Sequence, residues 1–155
     1  MTSAYRVRRA TVNDAEIIAQ QRAAMLRDAG MADDATTVLI QANSIAPLTA
    51  MLRNEEYLGW LVEFEEQIVG GGGIILRRLL PRPGSLQMSH EAYILNVYIE
   101  PAHRRRGAAR LLTTTMIDWC RDQGIQRVAL HASTEGEPLY KSLGFERTAE
   151  MLLKL

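Results

Sequence analysis

Residues 93–110 read YILNVYIEPAHRRRGAAR. The β-branched and aromatic run over 93–99 predicts a buried strand, and Glu100-Pro101 ends it, because proline has no N–H to give a ladder. Three arginines then precede Gly107-Ala108-Ala109, where an amphipathic pattern begins. Ala108, Leu111, Leu112, Thr115, Met116 and Trp119 fall on one helical face, which Gly124 closes. Residues 125–133 read as a further strand. Strand, helix and strand in this order require two parallel strands joined by a right-handed crossover. The helix start also carries chemistry. Its first N–H groups lack intrahelical partners and bear partial positive charge, so a small-residue loop rimmed with arginine suits a phosphate or pyrophosphate.

Around this unit the pattern is that of an α/β protein. Residues 5–9 read as a first strand. Asn13 and Glu16 have capping-box spacing, which predicts a helix starting at 13 or 14 and running towards Asp28. Over 35–52, Val38, Leu39, Ala42, Ile45, Leu48 and Met51 recur at helical spacing, with Pro47 expected to bend or divide the segment. Residues 57–64 and 68–80 read as a hairpin around Glu65-Glu66-Gln67. The run Gly70-Gly71-Gly72-Gly73 lacks the Gly-Lys-Ser/Thr ending of a P-loop and continues as strand. It therefore points to close backbone approach or a bulge rather than to a phosphate cradle. Pro81, Pro83 and Gly84 take residues 81–90 into a surface loop beside Arg77, Arg78 and Arg82. Residues 136–143 read as a short helix closed by Gly144. Residues 145–155 read as a last strand that would lie at a sheet edge and offer a homodimer contact. The expected fold is a mixed, mostly antiparallel sheet flanked by helices, with a parallel strand-helix-strand unit, in one domain over 1–155.

Composition removes several function classes. Eighteen basic residues balance eighteen acidic ones, with Lys141 and Lys154 the only lysines, so the basic excess of a nucleic-acid binder is missing and no nucleic-acid partner is expected. No stretch approaches the roughly 20 apolar residues of a membrane span, so no membrane partner is expected either. The first ten residues lack a secretory apolar core, and one cysteine, Cys120, permits no internal disulfide, which leads to a cytoplasmic expectation. Three scattered histidines and that cysteine have no metal-ligand spacing, so no metal site is expected. Neither Gly-x-Ser-x-Gly nor His-Glu-x-x-His is present. Cys120, beside Trp119 on the amphipathic helix, reads as a small buried hydrophobe.

Arg104-Arg105-Arg106-Gly107-Ala108-Ala109 fits the signature Q/R-x-x-G-x-G/A directly after a strand, and Leu139-Tyr140-Lys141-Ser142-Leu143-Gly144-Phe145 fits LYxxxGF. With both motifs in this order, the chain resembles the GNAT superfamily of N-acetyltransferases over residues 93–147. The resemblance implies the acyl-CoA N-acyltransferase fold and acetyl-CoA as cosubstrate. Backbone N–H groups of Arg105, Arg106, Gly107, Ala108 and Ala109 would hold the pyrophosphate, with the Arg104 and Arg106 side chains nearby. Val97, Tyr98 and Ile99 would pair with the pantetheine arm where that strand bulges, and the N–H of Val97 or its neighbour would act as oxyanion donor. Tyr140 stands where the family commonly keeps the general acid for the coenzyme A thiolate; its other reading is a packed aromatic on a short helix. Glu91, on the strand face of Tyr93, is the first choice of base, directly or through water, against a solvated carboxylate at a strand start. His90 and Asn96 are weaker candidates, Asn96 as an orienter of water or substrate. Ser133 replaces the asparagine by which many relatives contact the cofactor arm; it supplies a hydroxyl instead, or the contact passes to Thr134-Glu135-Gly136. His131 reads as a partly buried strand histidine. The implied activity is acetyl transfer from acetyl-CoA to a primary amine of a small molecule or peptide, by direct attack in a ternary complex. A non-catalytic acyl-CoA-binding or sensing module is the alternative.

Overall fold

The computed structural model describes residues 4–155. Five strands form one sheet, β1 Tyr5–Arg9, β2 Leu58–Phe64, β3 Gln67–Leu79, β4 Ser89–Ile99 and β5 Arg127–Leu130, lying side by side in chain order. The first three pairings are antiparallel and β4–β5 is parallel, as the strand-helix-strand pattern requires. Helices α1 Ala15–Asp28 and α2 Asp34–Arg53 cover one face. Helix α3 Ala108–Asp122 covers the other, and the short α4 Glu137–Ser142 follows β5.

Alternation along β2 builds both cores at once. Leu58, Trp60 and Val62 point to the α3 side, where they meet Ile74, Ile94, Leu112, Met116 and Cys120, while Leu61 points to the α1–α2 side with Ile18, Ala19, Leu48, Leu52 and Tyr57. The glycine run explains how the second layer sits so close to the sheet. A Cβ on Gly73 would lie 2.2 Å from the Tyr57 ring, and one on Gly71 would lie 2.6 Å from Gln21 Oε1. The run therefore serves close approach, as its sequence suggested.

Three local expectations change, and a fourth, that Pro47 bends or divides its segment, is narrowed to a single helix. The 3-10 turn Val12–Asp14 that leads into α1 is capped by Thr11 and Asp14, in place of the capping box expected from Asn13 and Glu16. Asp14 accepts from the Thr11 N–H at 2.7 Å and from two Arg8 nitrogens at 2.9 and 3.0 Å, a bidentate pairing that Glu16 does not make. Helix α2 passes undivided through Pro47, because Pro47 and Asn43 are both exposed and the carbonyl left without a donor meets water. At 20 residues and a mean hydropathy of 1.2, α2 also has the length and composition of a membrane span, which the sequence had not suggested; here Leu48 and Leu52 seat it on α1. Strand β4 starts at Ser89, so Glu91 lies inside the ladder. Finally, residues 145–155 form no strand, for they find no partner ladder among the described residues.

Candidate functional site

The site is built where β4 parts from β5. Gly71 faces Tyr98 and Gly73 faces Leu95, so Asn96 and Val97 together oppose the single residue Gly72. Simple alternation from Ile94 would send Asn96 towards α3. The bulge, with Asn96 at φ 58°, turns it to the α1 side instead. There its Oδ1 accepts from Arg22 Nη1 at 2.7 Å and its Nδ2 donates to Tyr57 Oη at 3.3 Å. Asn96 is 6% exposed, and burial pushes the Tyr57 phenol up to about 12. On the other side of the bulge, parallel pairing stops at Ile94 with Leu130, while β4 continues to Ile99. Among the described residues, the β5-facing edge of residues 95–99, which includes Val97, Tyr98 and Ile99, has no strand partner.

The loop after β4 ends in a helix start rich in free donors. Arg105 (φ 58°) and Gly107 (φ 89°) both take left-handed backbone, and successive amides in such turns converge into an anion-binding concavity. The first helical amide with a carbonyl partner is Leu111, bonded to Gly107 O at 3.0 Å. The amides of Arg105, Arg106, Gly107, Ala108, Ala109 and Arg110 donate to no other group among the described residues. Six unpaired donors at a helix N-terminus fit a pyrophosphate. The arginines divide their work. Arg104 donates from Nε to Ile99 O at 2.7 Å and from Nη2 to Asp28 at 2.8 Å, tying the loop to β4 and α1. Arg105 and Arg106 stay exposed at the rim, Arg106 over the Phe64 ring at 5.7 Å.

After β5, Ser133 and Tyr140 both lie against Gly136. A Cβ on Gly136 would lie 3.0 Å from the Tyr140 ring and 3.1 Å from Ser133 Oγ. Ser133 Oγ accepts from Gly136 N–H at 3.1 Å and its carbonyl accepts from Glu137 N–H at 3.0 Å, so this serine starts α4. Tyr140 packs edge-on against Phe145, 5.8 Å between centroids, and burial raises its phenol above the ordinary value. Its hydroxyl bonds to no described residue and remains available to a ligand.

Glu91 lies elsewhere. Only 8% exposed, it meets Arg77 Nη2 at 2.8 Å and Arg127 Nε at 3.4 Å, its cross-strand neighbours on β3 and β5. Five residues separate it from Asn96, about 16 Å of strand. The structure thus ties the 104–109 loop to Val97–Ile99 through Arg104 and Ile99 O, ties α4 to the start of α3 through Arg110 Nη2, which donates to Ser142 Oγ at 2.7 Å, and gathers Glu91 into a separate ion-paired cluster. His90 and His131 are both exposed, the latter against expectation. Cys120 is 1% exposed with its thiol pushed up to about 11 by burial, an inert core group. Among the described residues no three His, Cys, Asp or Glu side chains cluster as metal ligands.

Arg22 and Tyr57 are site neighbours that sequence reasoning missed. Arg22 occupies an unremarkable polar helix position, and only the bulge aims Asn96 at it. Tyr57 had one signal, the glycine run, which implied a bulky neighbour without naming it.

The chain is similar to known proteins over this whole framework. The family described as "Acetyltransferase (GNAT) family" matches residues 26–145. The uncharacterized N-acetyltransferase YjgM of Escherichia coli is 29% identical over 143 residues, 90% of this chain and 81% of that one. Human N-acetyltransferase 8 is 31% identical over 94 residues, 59% of this chain, and the match spans only 39% of the human protein. Among solved structures, a GCN5-related N-acetyltransferase from Ralstonia eutropha superposes with TM-score 0.88 at 30% identity, covering 97% of this chain and 98% of that one. A predicted acetyltransferase from Clostridium acetobutylicum, solved with acetyl-CoA, gives TM-score 0.85 at 25% identity over 97% and 96% of the two chains.

Proposed function

The chain belongs to the GNAT acetyltransferase family, and within it we propose that it moves an acetyl group from acetyl-CoA to a primary amine of a small molecule or peptide, by direct attack in a ternary complex with no covalent enzyme intermediate. Acetyl-CoA-dependent acetyl transfer is the general chemistry of that family. The observation that carries the reading is the run of free amides at residues 105–110, which follows directly on the unpaired edge of residues 95–99. The free Tyr140 hydroxyl supports it from α4.

When bound, acetyl-CoA supplies an activated acetyl thioester. The chain does the rest. The amides from Arg105 to Ala109 hold the pyrophosphate, helped by the Arg105 and Arg106 side chains, while Arg104 holds the loop in place. The open edge of Val97, Tyr98 and Ile99 pairs with the pantetheine arm as a strand would. An amide at the bulge, that of Val97 or its neighbour, donates to the carbonyl oxygen as negative charge develops there. Tyr140 keeps its proton through the neutral range, because burial raises its phenol, and gives it to the departing thiolate. Ser133 holds the start of α4, the helix that carries Tyr140. The geometry around Glu91 favours a structural part for it, so in this reading the amine loses its proton to water rather than to that carboxylate.

A free-thiol release assay with acetyl-CoA across a panel of amines, amino acids and peptides tests the proposal. Release that depends on an amine acceptor is expected. Acetyl-CoA binding by calorimetry with no turnover on any amine would replace the enzyme with an acyl-CoA-sensing module, and absence of binding would remove both.

A further inference from the structure

Arg22 carries a charge that no described residue balances. It lies half-buried on α1 with no carboxylate in ion-pair range, whereas Arg8 and Arg77, also half-buried, pair with Asp14 and Glu63 and with Glu91. A guanidinium drawn out of water without a counter-charge is costly. Its one partner among the described residues is neutral: Nη1 donates to Asn96 Oδ1 at 2.7 Å. Nε and Nη2 are left without an acceptor there, and neither is sealed into the core. These two nitrogens form one edge of the planar fork, the edge that can grip both oxygens of a carboxylate.

The fold accepts strain to hold this fork in place. Asn96 sits at φ 58°, left-handed backbone that a residue with a side chain adopts only at a cost, and such strain persists where the surroundings fix it. Its Nδ2 donates to the buried Tyr57 hydroxyl at 3.3 Å, which turns the amide oxygen towards Arg22. The place matters as much as the grip. Asn96 is next to Val97, the residue whose amide or neighbour is read above as the donor to the thioester carbonyl, and adjacent Cα atoms are about 3.8 Å apart. Helix α3, whose start holds the cofactor, covers the opposite face of the sheet. The α1 side is therefore the one left for the amine.

Resting on the acetyl-transfer reading above, we propose that Arg22 selects the acceptor, and that the acceptor is a primary amine which also carries a carboxylate, as an amino acid does. The Nε–Nη2 edge holds the carboxylate and so gains the counter-charge that Arg22 lacks. Asn96 positions the guanidinium without neutralising it, which an aspartate in its place would not do. A carboxylate is ionised throughout the neutral range, and its two planar oxygens match two parallel donors. A phosphate monoester brings nearly twice the charge and asks for more than one cation.

Thiol release from acetyl-CoA, measured at equal concentrations of free amine, tests the proposal with glycine, β-alanine and L-leucine against their amides and against O-phosphoethanolamine. For the best carboxylate acceptor, kcat/KM should exceed that of its amide by about 100-fold. Arg22→Met should raise KM for that acceptor about 100-fold, far more than it lowers kcat, and erase the preference over the amide. Asn96→Asp keeps Arg22 and suits the same left-handed backbone, yet supplies a permanent counter-charge, so it should erase the preference too. Acetyl-CoA affinity by calorimetry reports that both variants fold. An Arg22 that merely braces Asn96 would slow acids and amides alike and leave their ratio unchanged. Three results would overturn the assignment while acetyl transfer stands: amides used within about threefold of the acids, a preference for O-phosphoethanolamine, or an acid-to-amide ratio that survives both substitutions. Turnover absent on every amine removes the acetyltransferase reading and this assignment with it.

Discussion

Two candidate catalytic side chains differ by what surrounds them. Tyr140 packs its ring edge-on against Phe145 and keeps its hydroxyl free, the combination that a proton donor needs. Tyr140→Phe should cut kcat by about 100-fold or more while acetyl-CoA affinity, read by calorimetry, stays unchanged. The sign of the pH effect follows from the raised phenol. The acid must be protonated to act, so activity should persist past the ordinary phenol value of about 10 before falling, and the Phe variant should lose that alkaline limb. Glu91 shows the reverse arrangement, a carboxylate with both oxygens engaged by Arg77 and Arg127. Glu91→Gln leaves two guanidiniums without their counter-charge and should cost about 1–3 kcal/mol of stability in chemical denaturation, with kcat changed by less than about threefold. A loss of rate above about 100-fold with stability intact would make Glu91 the base after all.

At the scale of elements, backbone shape matters more than side-chain chemistry. Gly107 sits at φ 89° with open space where a Cβ would be, so Gly107→Ala adds strain without a clash. Left-handed backbone costs an alanine about 1–2 kcal/mol, and relaxing that turn misaligns the donors of α3. Acetyl-CoA affinity should drop about tenfold, measured by calorimetry. Gly73→Ala acts by collision instead, because its Cβ would meet the Tyr57 ring at 2.2 Å. Such overpacking should destabilise the protein by about 1–3 kcal/mol, read from a urea midpoint. The turn into α1 gives a pH test. Arg8 hydrogen bonds hold the Asp14 carboxyl below the usual carboxylate range, ahead of the opposing effect of burial. A depressed carboxyl contributes stability that is present above the unfolded value of about 3.9 and lost as pH falls through its lower folded value. Asp14→Asn should therefore melt earlier than wild type at pH 7, and the two curves should converge as pH drops below about 4.

For the whole molecule, the opening beside β4 is a property of the sheet. β5 stops at Leu130 while β4 runs on to Ile99, and α3 places its free N-terminus at the end of that opening. A ligand that bridges loop, strand edge and α4 ties these parts together. Acetyl-CoA at about 100 times its Kd should stabilise the protein by about 2.7 kcal/mol, a rise in Tm of several degrees by calorimetry, and Gly107→Ala should shrink that rise at equal concentration.

Much of this was legible in the residues because it depends on local pattern. The strand-loop-helix of 93–110 came through intact, as did the hairpin of β2 and β3 and the close-approach role of the glycines, since period, proline stops and glycine act over a few neighbours. The motif pair at 104–109 and 139–145 likewise pointed to the family whose model matches residues 26–145. What the sequence could not decide was long-range company. Glu91 and Tyr93 share a strand face, but the residues on β3 and β5 that face Glu91 are set by register, and they turned out to be Arg77 and Arg127. Asn96 reaches Arg22 and Tyr57 because one extra residue in β4 reverses its side. The pattern of 145–155 spells a strand, yet a strand exists only where another offers its ladder. Propensity belongs to the chain, whereas pairing belongs to whatever the fold brings within about 5 Å of it.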